Sequence, residues 1–163
     1  MLSFTADEAW EFVPARAEES VHLLTWAPLA FERTEEERCT WAALFNLREV
    51  ALADLERARQ AKTIGKALEA KLKIAGKGSS VAAAKANAEA LRELLNVSQL
   101  QIAITGEGEG DVLEIIVDKA DGEKCERCWH WETDVGRNAE HPTLCGRCVK
   151  AIEAIKAISK SVN

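Results

Sequence analysis

Four of the five cysteines of this 163-residue chain fall into two Cys-x-x-Cys pairs, Cys125/Cys128 and Cys145/Cys148, separated by 16 residues. Two intervening residues let both sulfurs of a pair turn onto one ion from a tight knuckle. Sixteen residues are enough for a short hairpin that brings the second knuckle opposite the first. Four soft thiolates in tetrahedral array select zinc, and a closed shell leaves no position for a substrate water. The expectation is one structural Zn2+ held by Cys125, Cys128, Cys145 and Cys148, with a redox dithiol or an iron–sulfur cluster as rivals. His130 or His141 replacing one cysteine is a further alternative. A segment of this size buries too little apolar area to fold unaided, so the metal acts as scaffold rather than catalyst. The fifth cysteine, Cys39, lies alone in a helical stretch and reads as a small buried apolar residue.

Upstream, hydrophobic periodicity divides the chain into residues 1–61, 62–121 and 122–163. Thr5-Ala6-Asp7-Glu8 fits a capping box for a short helix that Pro14 ends. Residues 15–33, with Pro28, carry no sustained period and read as a connector. Thr34 with Glu37 forms a second capping box ahead of Trp41, Leu44, Phe45, Leu52 and Leu55, giving a long amphipathic helix over about 34–61. The period then changes to two: Ala70, Leu72 and Ile74 alternate with Lys71 and Lys73 as on a half-buried strand. A turn at Gly76–Ser79 leads to an Ala-rich helix capped by Ser80. Leu100, Ile102 and Ile104 alternate again. Gly106, Gly108 and Gly110 then punctuate a hairpin-like turn into a strand over Val112–Val117. Val149, Ile152, Ile155 and Ile158 mark one face of a terminal helix. The fold class is α+β: a helical segment, a small α+β unit and a zinc ribbon.

The net charge of −6 is unevenly placed. Residues 1–61 hold 12 acidic against 6 basic side chains, whereas residues 122–163 hold 6 against 7. Charge therefore neither requires nor excludes an RNA partner. No apolar run approaches the ~20 residues of a bilayer helix, and no basic-then-apolar leader opens the chain, so the reading is cytoplasmic; a monomer is expected. Trp129 and Trp131 are candidates for stacking on unpaired bases, with ordinary packing against the zinc loop as the rival reading. Arg127, Arg147 and Lys150 are candidate phosphate contacts beside them. Arg48, Arg59, Lys62 and Lys66 are weaker candidates along and beyond the long helix, where complementing the helix C-terminus is reason enough for a cation. Gly76-Lys77-Gly78 fails as a phosphate loop, since Lys71 and Gly78 stand where that motif needs Gly and Ser or Thr. His22, His130 and His141 have no nucleophile or carboxylate partner in sequence, so no catalytic residue is expected.

Several stretches resemble the C-terminal part of bacterial isoleucyl-tRNA synthetases. Lys-Cys-x-Arg-Cys-Trp at 124–129, Asp134-Val135-Gly136 and Cys-Gly-Arg-Cys at 145–148 are very like that family's terminal zinc module. Leu2-Ser3-Phe4-Thr5-Ala6-Asp7-Glu8-Ala9-Trp10 resembles a stretch of its anticodon-binding helical domain, and the 41–59 and 62–68 segments follow in the family's order. The resemblance implies a tRNA-binding fragment of a class I, ATP-dependent isoleucine–tRNA ligase, beginning partway through the anticodon-binding domain. Its partners would be the anticodon arm of isoleucine tRNA and the missing catalytic and editing domains. ATP would bind only the parent enzyme, since the chain has neither His-x-Gly-His nor Lys-Met-Ser-Lys-Ser. Other readings are a free-standing zinc-ribbon module for protein contacts and the zinc-finger tail of a DNA glycosylase. The glycosylase would need an N-terminal Pro-Glu that Met1-Leu2-Ser3 does not supply.

Overall fold

The computed structural model describes residues 2–25, 31–106 and 112–161, in two compact units, Met1–Arg33 and Thr34–Asn163. Pro28, Gly108 and Gly110 lie outside the described residues.

The first unit is held by polar ties. Its helix α1 (Ser3–Trp10) buries no residue. The expected capping box does not form, because the helix begins two residues before Thr5 and Leu2 stands at the cap without a side-chain bond. Asp7 accepts instead from the Ser20 hydroxyl at 2.5 Å. The Trp10 indole donates to the Glu18 carbonyl at 2.9 Å, and His22 Nε2 donates to the Ser3 carbonyl at 3.0 Å. Ser20 also caps a single 3-10 turn at Val21–Leu23 within the expected connector.

In the second unit α2 spans Glu35–Gln60, and its capping box forms as the sequence indicates. Glu37 N–H donates to the Thr34 hydroxyl at 3.1 Å while the Glu37 carboxylate accepts from Thr34 N–H at 2.8 Å. Leu44, Leu47, Ala51 and Leu55 recur at helical spacing and are the residues α2 buries. Of the other expected stripe residues Leu52 is half-buried, while Trp41 and Phe45 turn to the exposed side of the helix. Cys39 is exposed rather than buried, because it sits in the second turn, before this stripe begins.

Strand β1 (Ala70–Lys77) alternates buried and half-buried positions along its whole length. It is central in a three-stranded sheet, parallel to β2 (Gln99–Ile104) and antiparallel to β3 (Val112–Lys119). Leu72 lies opposite Leu100 and Val117, and Ile74 opposite Ile102 and Ile115. β2 and β3 therefore do not pair as the expected hairpin, because β1 lies between them. The Ala-rich stretch is two helices, α3 (Ser79–Ala86) and α4 (Ala88–Leu95). Its expected cap Ser80 lies inside α3, with Gly78, at φ 100°, at the N-cap. The break falls at Asn87, whose carboxamide donates back to the Ala83 carbonyl at 2.9 Å and competes with helix continuation. Asn96 closes α4 in the left-handed conformation. Leu72, Ile74, Val81, Leu91, Leu95 and Val97 meet the α2 stripe in one apolar core.

The ribbon follows. A two-strand ladder pairs β4 (Glu123–Lys124) with β5 (Trp131–Glu132), and α5 (Gly146–Ser161) carries the last cysteine. Gly122, at φ 87°, is needed there because a side chain would strike the Glu132 carbonyl. On α5 Val149 is buried, whereas Ile155 and Ile158 are exposed.

Candidate metal centre and nucleic-acid interface

The two knuckles meet as their spacing implies. All four sulfurs lie within 4.8 Å of one another, and Cys128 Sγ and Cys145 Sγ are 3.7 Å apart. A tetrahedral ion with Zn–S bonds of about 2.3 Å sets its ligands about 3.8 Å apart, so the cluster has the size of one such shell. Cys125, Cys145 and Cys148 are buried, and Cys128 is half-buried. The first knuckle closes on itself: Cys125 accepts at its carbonyl from Trp129 N–H at 2.9 Å and donates its own N–H to the His130 carbonyl at 2.9 Å. The second is held from outside by Asp134, whose carboxylate accepts from Gly146 N–H at 3.0 Å. That bond covers a free amide at the start of α5 and fixes the helix that carries Cys148.

Electrostatics suit the same ion. Burial pushes the Cys125 thiol up, but backbone N–H groups of Cys128, Cys145 and Arg127 outweigh it and bring the group down to about 6. Burial pushes Cys145 up to about 12 and raises Cys148 as well. Four adjacent thiolates in such a place need a positive ion between them, and a bound dication supplies it. Arg147 hydrogen-bonds Cys128, and that bond raises the Arg147 guanidinium above its ordinary value. Arg127 points at Cys148 Sγ from 3.7 Å. Both arginines thus face the sulfur cluster. His130 and His141 stand outside the four-sulfur cluster.

The two tryptophans differ. Trp131, on β5, is half-buried, with Lys119 Nζ 5.4 Å from its ring centre. Trp129 is 60% exposed, and Lys124 Nζ lies 5.8 Å from its ring centre. The backbone of Trp129 is left-handed, at φ 66°, a state that costs a non-glycine residue about 1–2 kcal/mol. The knuckle imposes that turn, and a large exposed indole occupies a place where glycine would be easier. Both rings line a small cavity of about 80 Å³ with Lys66, Leu68, Glu69 and Lys124.

The structure therefore brings Lys66 together with Trp129 and Trp131, across more than sixty residues of chain. The other candidates are elsewhere. Arg48 donates to the Leu94 carbonyl at 3.2 Å and pairs with Glu49, tying α2 to α4. Arg59 is forked on Glu56 by two bonds of 2.8 and 2.7 Å, which draw that carboxyl down from 4.5 to about 2. Lys62 is exposed in the left-handed turn after α2. Lys150 lines a groove with Asp134, Arg137 and Glu153. Lys124 and Asp134 stand inside the Lys-Cys-x-Arg-Cys-Trp and Asp-Val-Gly motifs, but no pattern in the sequence marks either as a site residue.

Residues 122–151 match the family described as a zinc finger found in FPG and IleRS. The ribbon is thus a zinc finger of that class. Over 158 residues, 95% of the chain, the sequence is 42% identical to an isoleucine–tRNA ligase of Exiguobacterium sibiricum. It is 38% identical to that of Geobacter sulfurreducens over 160 residues, 94% of the chain, and 37% identical to that of Neisseria meningitidis over 155 residues, 93%. The chain spans only 16–17% of the length of these relatives. It is homologous, over nearly all its length, to the C-terminal region of isoleucine–tRNA ligases. No helix among the described residues is long and apolar enough to cross a membrane.

Proposed function

We propose that this chain is the tRNA-binding C-terminal part of an isoleucine–tRNA ligase, and that its ribbon helps hold the anticodon arm of isoleucine tRNA. The observation that carries this reading is the cavity between Lys66, Lys124, Trp129 and Trp131. Two indoles offer faces for unpaired bases, worth about 1–3 kcal/mol per base, and two ammonium groups stand ready for the flanking phosphates. The left-handed backbone at Trp129 supports the same reading, since an exposed indole kept at the expense of backbone strain suits a contact better than a packing role.

One structural Zn2+ on Cys125, Cys128, Cys145 and Cys148 shapes this surface without taking part in chemistry. Arg127 and Arg147 act mainly on the sulfurs, with their outer nitrogens free to reach phosphate, and Lys150 extends the cationic rim. Arg48, Arg59 and Lys62 contribute at most distant phosphate contacts. The ligase reaction, with its ATP, belongs to catalytic and editing domains of the parent enzyme, a cytoplasmic monomer to which this part supplies tRNA contacts.

Filter binding of isoleucine tRNA and of an unrelated tRNA, across a salt series and with or without chelator, tests the proposal. Isoleucine tRNA should bind the zinc-loaded chain better, and chelation should abolish the difference. Equal binding of both tRNAs, indifferent to chelator, sinks it.

A further inference from the structure

Among the described residues Ser98 is the buried polar side chain, at 0% exposure. A hydroxyl there costs about 1–3 kcal/mol unless partnered, and it is partnered twice. Ser98 Oγ donates to the Leu68 carbonyl at 2.5 Å and accepts from Trp131 N–H at 2.7 Å. Leu68 and Trp131 both line the cavity between Lys66, Lys124 and Trp129. A single hydroxyl therefore ties together two walls of that cavity, one from the turn before β1 and one from the zinc ribbon.

The neighbours of Ser98 continue the same seam. The Gln99 carboxamide donates to the Asp121 carbonyl at 2.9 Å and accepts from Asp121 N–H at 3.0 Å. Arg92 donates to the Ser98 carbonyl at 2.9 Å and reaches the Glu132 carboxylate at 3.3 Å. The β4–β5 ladder is two residues long, too short to fix the direction of Trp131 by itself. The sulfur cluster orders the knuckle, yet none of its bonds reaches Leu68. The hydroxyl of Ser98 supplies that missing link.

We propose that Ser98 is a positioning residue that sets the spacing of Trp131 and Leu68, and so the shape of the two-tryptophan cavity that receives RNA; the RNA part rests on the function proposed above. Ser98 touches no RNA itself.

The test uses the zinc-loaded chain with Ser98→Ala, and Ser98→Cys, which keeps a weak donor and acceptor in a similar volume. Residue-resolved amide exchange reports the link directly. In Ser98→Ala the Trp131 amide should exchange about tenfold faster, the loss expected for one net hydrogen bond, with Leu72 and Ile74 unchanged. Affinity for isoleucine tRNA should fall by a similar factor at an unchanged salt slope, because no phosphate contact is removed. Ser98→Cys should recover part of both. Unchanged Trp131 exchange in the two variants overturns the proposal. Faster exchange with unaltered tRNA affinity overturns it too, since the cavity then does not depend on the link. If the parent chain binds no tRNA, the function proposed above fails, and the Trp131 exchange rate alone decides the structural link. Should Ser98→Ala fail to fold, Ser98→Cys supplies both readings.

Discussion

The α+β unit of residues 34–121, a sandwich of helices on a three-stranded sheet, and the zinc ribbon solve the same problem by different means. The sandwich closes on aliphatic side chains: Leu44, Leu72, Ile74, Val81, Leu91 and Val97 are each at most 1% exposed. The ribbon closes on Cys125, Cys145 and Cys148, with Val135 and Leu144 as the partly buried apolar neighbours beyond Cys128 among the described residues, and Val149 buried on α5. Apolar burial contributes in proportion to area, so the first can stand without a ligand. A core of three or four sulfurs has too little area, and its stability has to come from the ion it holds. The ribbon leaves Trp129 exposed, while Ser98, Gln99 and Arg92 on the sandwich edge hold Trp131, Asp121 and Glu132.

The sharpest way to break this contrast is Cys125→Ser or chelation. Structural zinc supplies about 10–16 kcal/mol of apparent binding energy in small zinc peptides, so residues 122–151 should lose amide protection. The sandwich signals of β1 and α2 should persist. Uniform loss across both regions would show one cooperative core instead of two. Leu72→Ala asks the opposite question. A fully buried leucine costs about 2–5 kcal/mol on truncation, which should lower the thermal midpoint of the sandwich while zinc stoichiometry stays at one per chain. Zinc loss on that substitution would mean that the ribbon cannot hold its ion without the sandwich.

Trp129→Gly sharpens the comparison further. Removing a left-handed non-glycine residue should stabilise the ribbon by about 1 kcal/mol, read as slower zinc release to a chelator, while tRNA affinity falls. A variant that loses zinc faster would show the indole to be packing rather than display. The smallest effect is expected at Glu56. Its carboxyl is drawn below its ordinary 4.5 to about 2 by Arg59 and Gln60. The stability it adds is therefore complete above about pH 4.5 and is lost as the pH falls through 2. The Glu56 side chain is 47% exposed and Arg59 58%, so solvent screens the pair. Glu56→Gln should flatten the acid limb of the unfolding curve only at the limit of detection, and a large change there would mean the pair is better shielded than its exposure indicates.

How far the sequence carries depends on the distance between interacting residues. The Thr34–Glu37 box is local, and the chain spells it out within a few positions. The α2 stripe is legible only in part, since Leu44 and Leu55 are buried whereas Trp41 and Phe45 are exposed and Leu47 and Ala51 take core places. The two Cys-x-x-Cys pairs are legible although 16 residues separate them, because the motif itself fixes the geometry on both sides. Failures come where a second local bond or the wider fold outweighs the local rule. Thr5 has the right spacing for a cap, but α1 begins before it. Cys39 has the right chemistry for a core, but the stripe of α2 starts later. The break at Asn87 turns on one carboxamide competing for a carbonyl. The sheet order could not be read at all: β2 and β3 flank β1, and no turn signal reveals which strand lies between them. The cavity was half legible. Trp129, Trp131 and Lys66 were candidates for separate reasons, and only the fold unites them. Ser98 gave no signal beyond a polar residue between Val97 and a strand, and its partners lie 30 and 33 positions away.

Amide exchange of the zinc-loaded chain with and without saturating isoleucine tRNA measures most directly whether the two-tryptophan cavity is the RNA contact. Protection should appear at residues 66–69 and 124–131 and vanish when zinc is removed. Protection confined to α2 and the far ends of the sheet, or identical in the chelated chain, would contradict it.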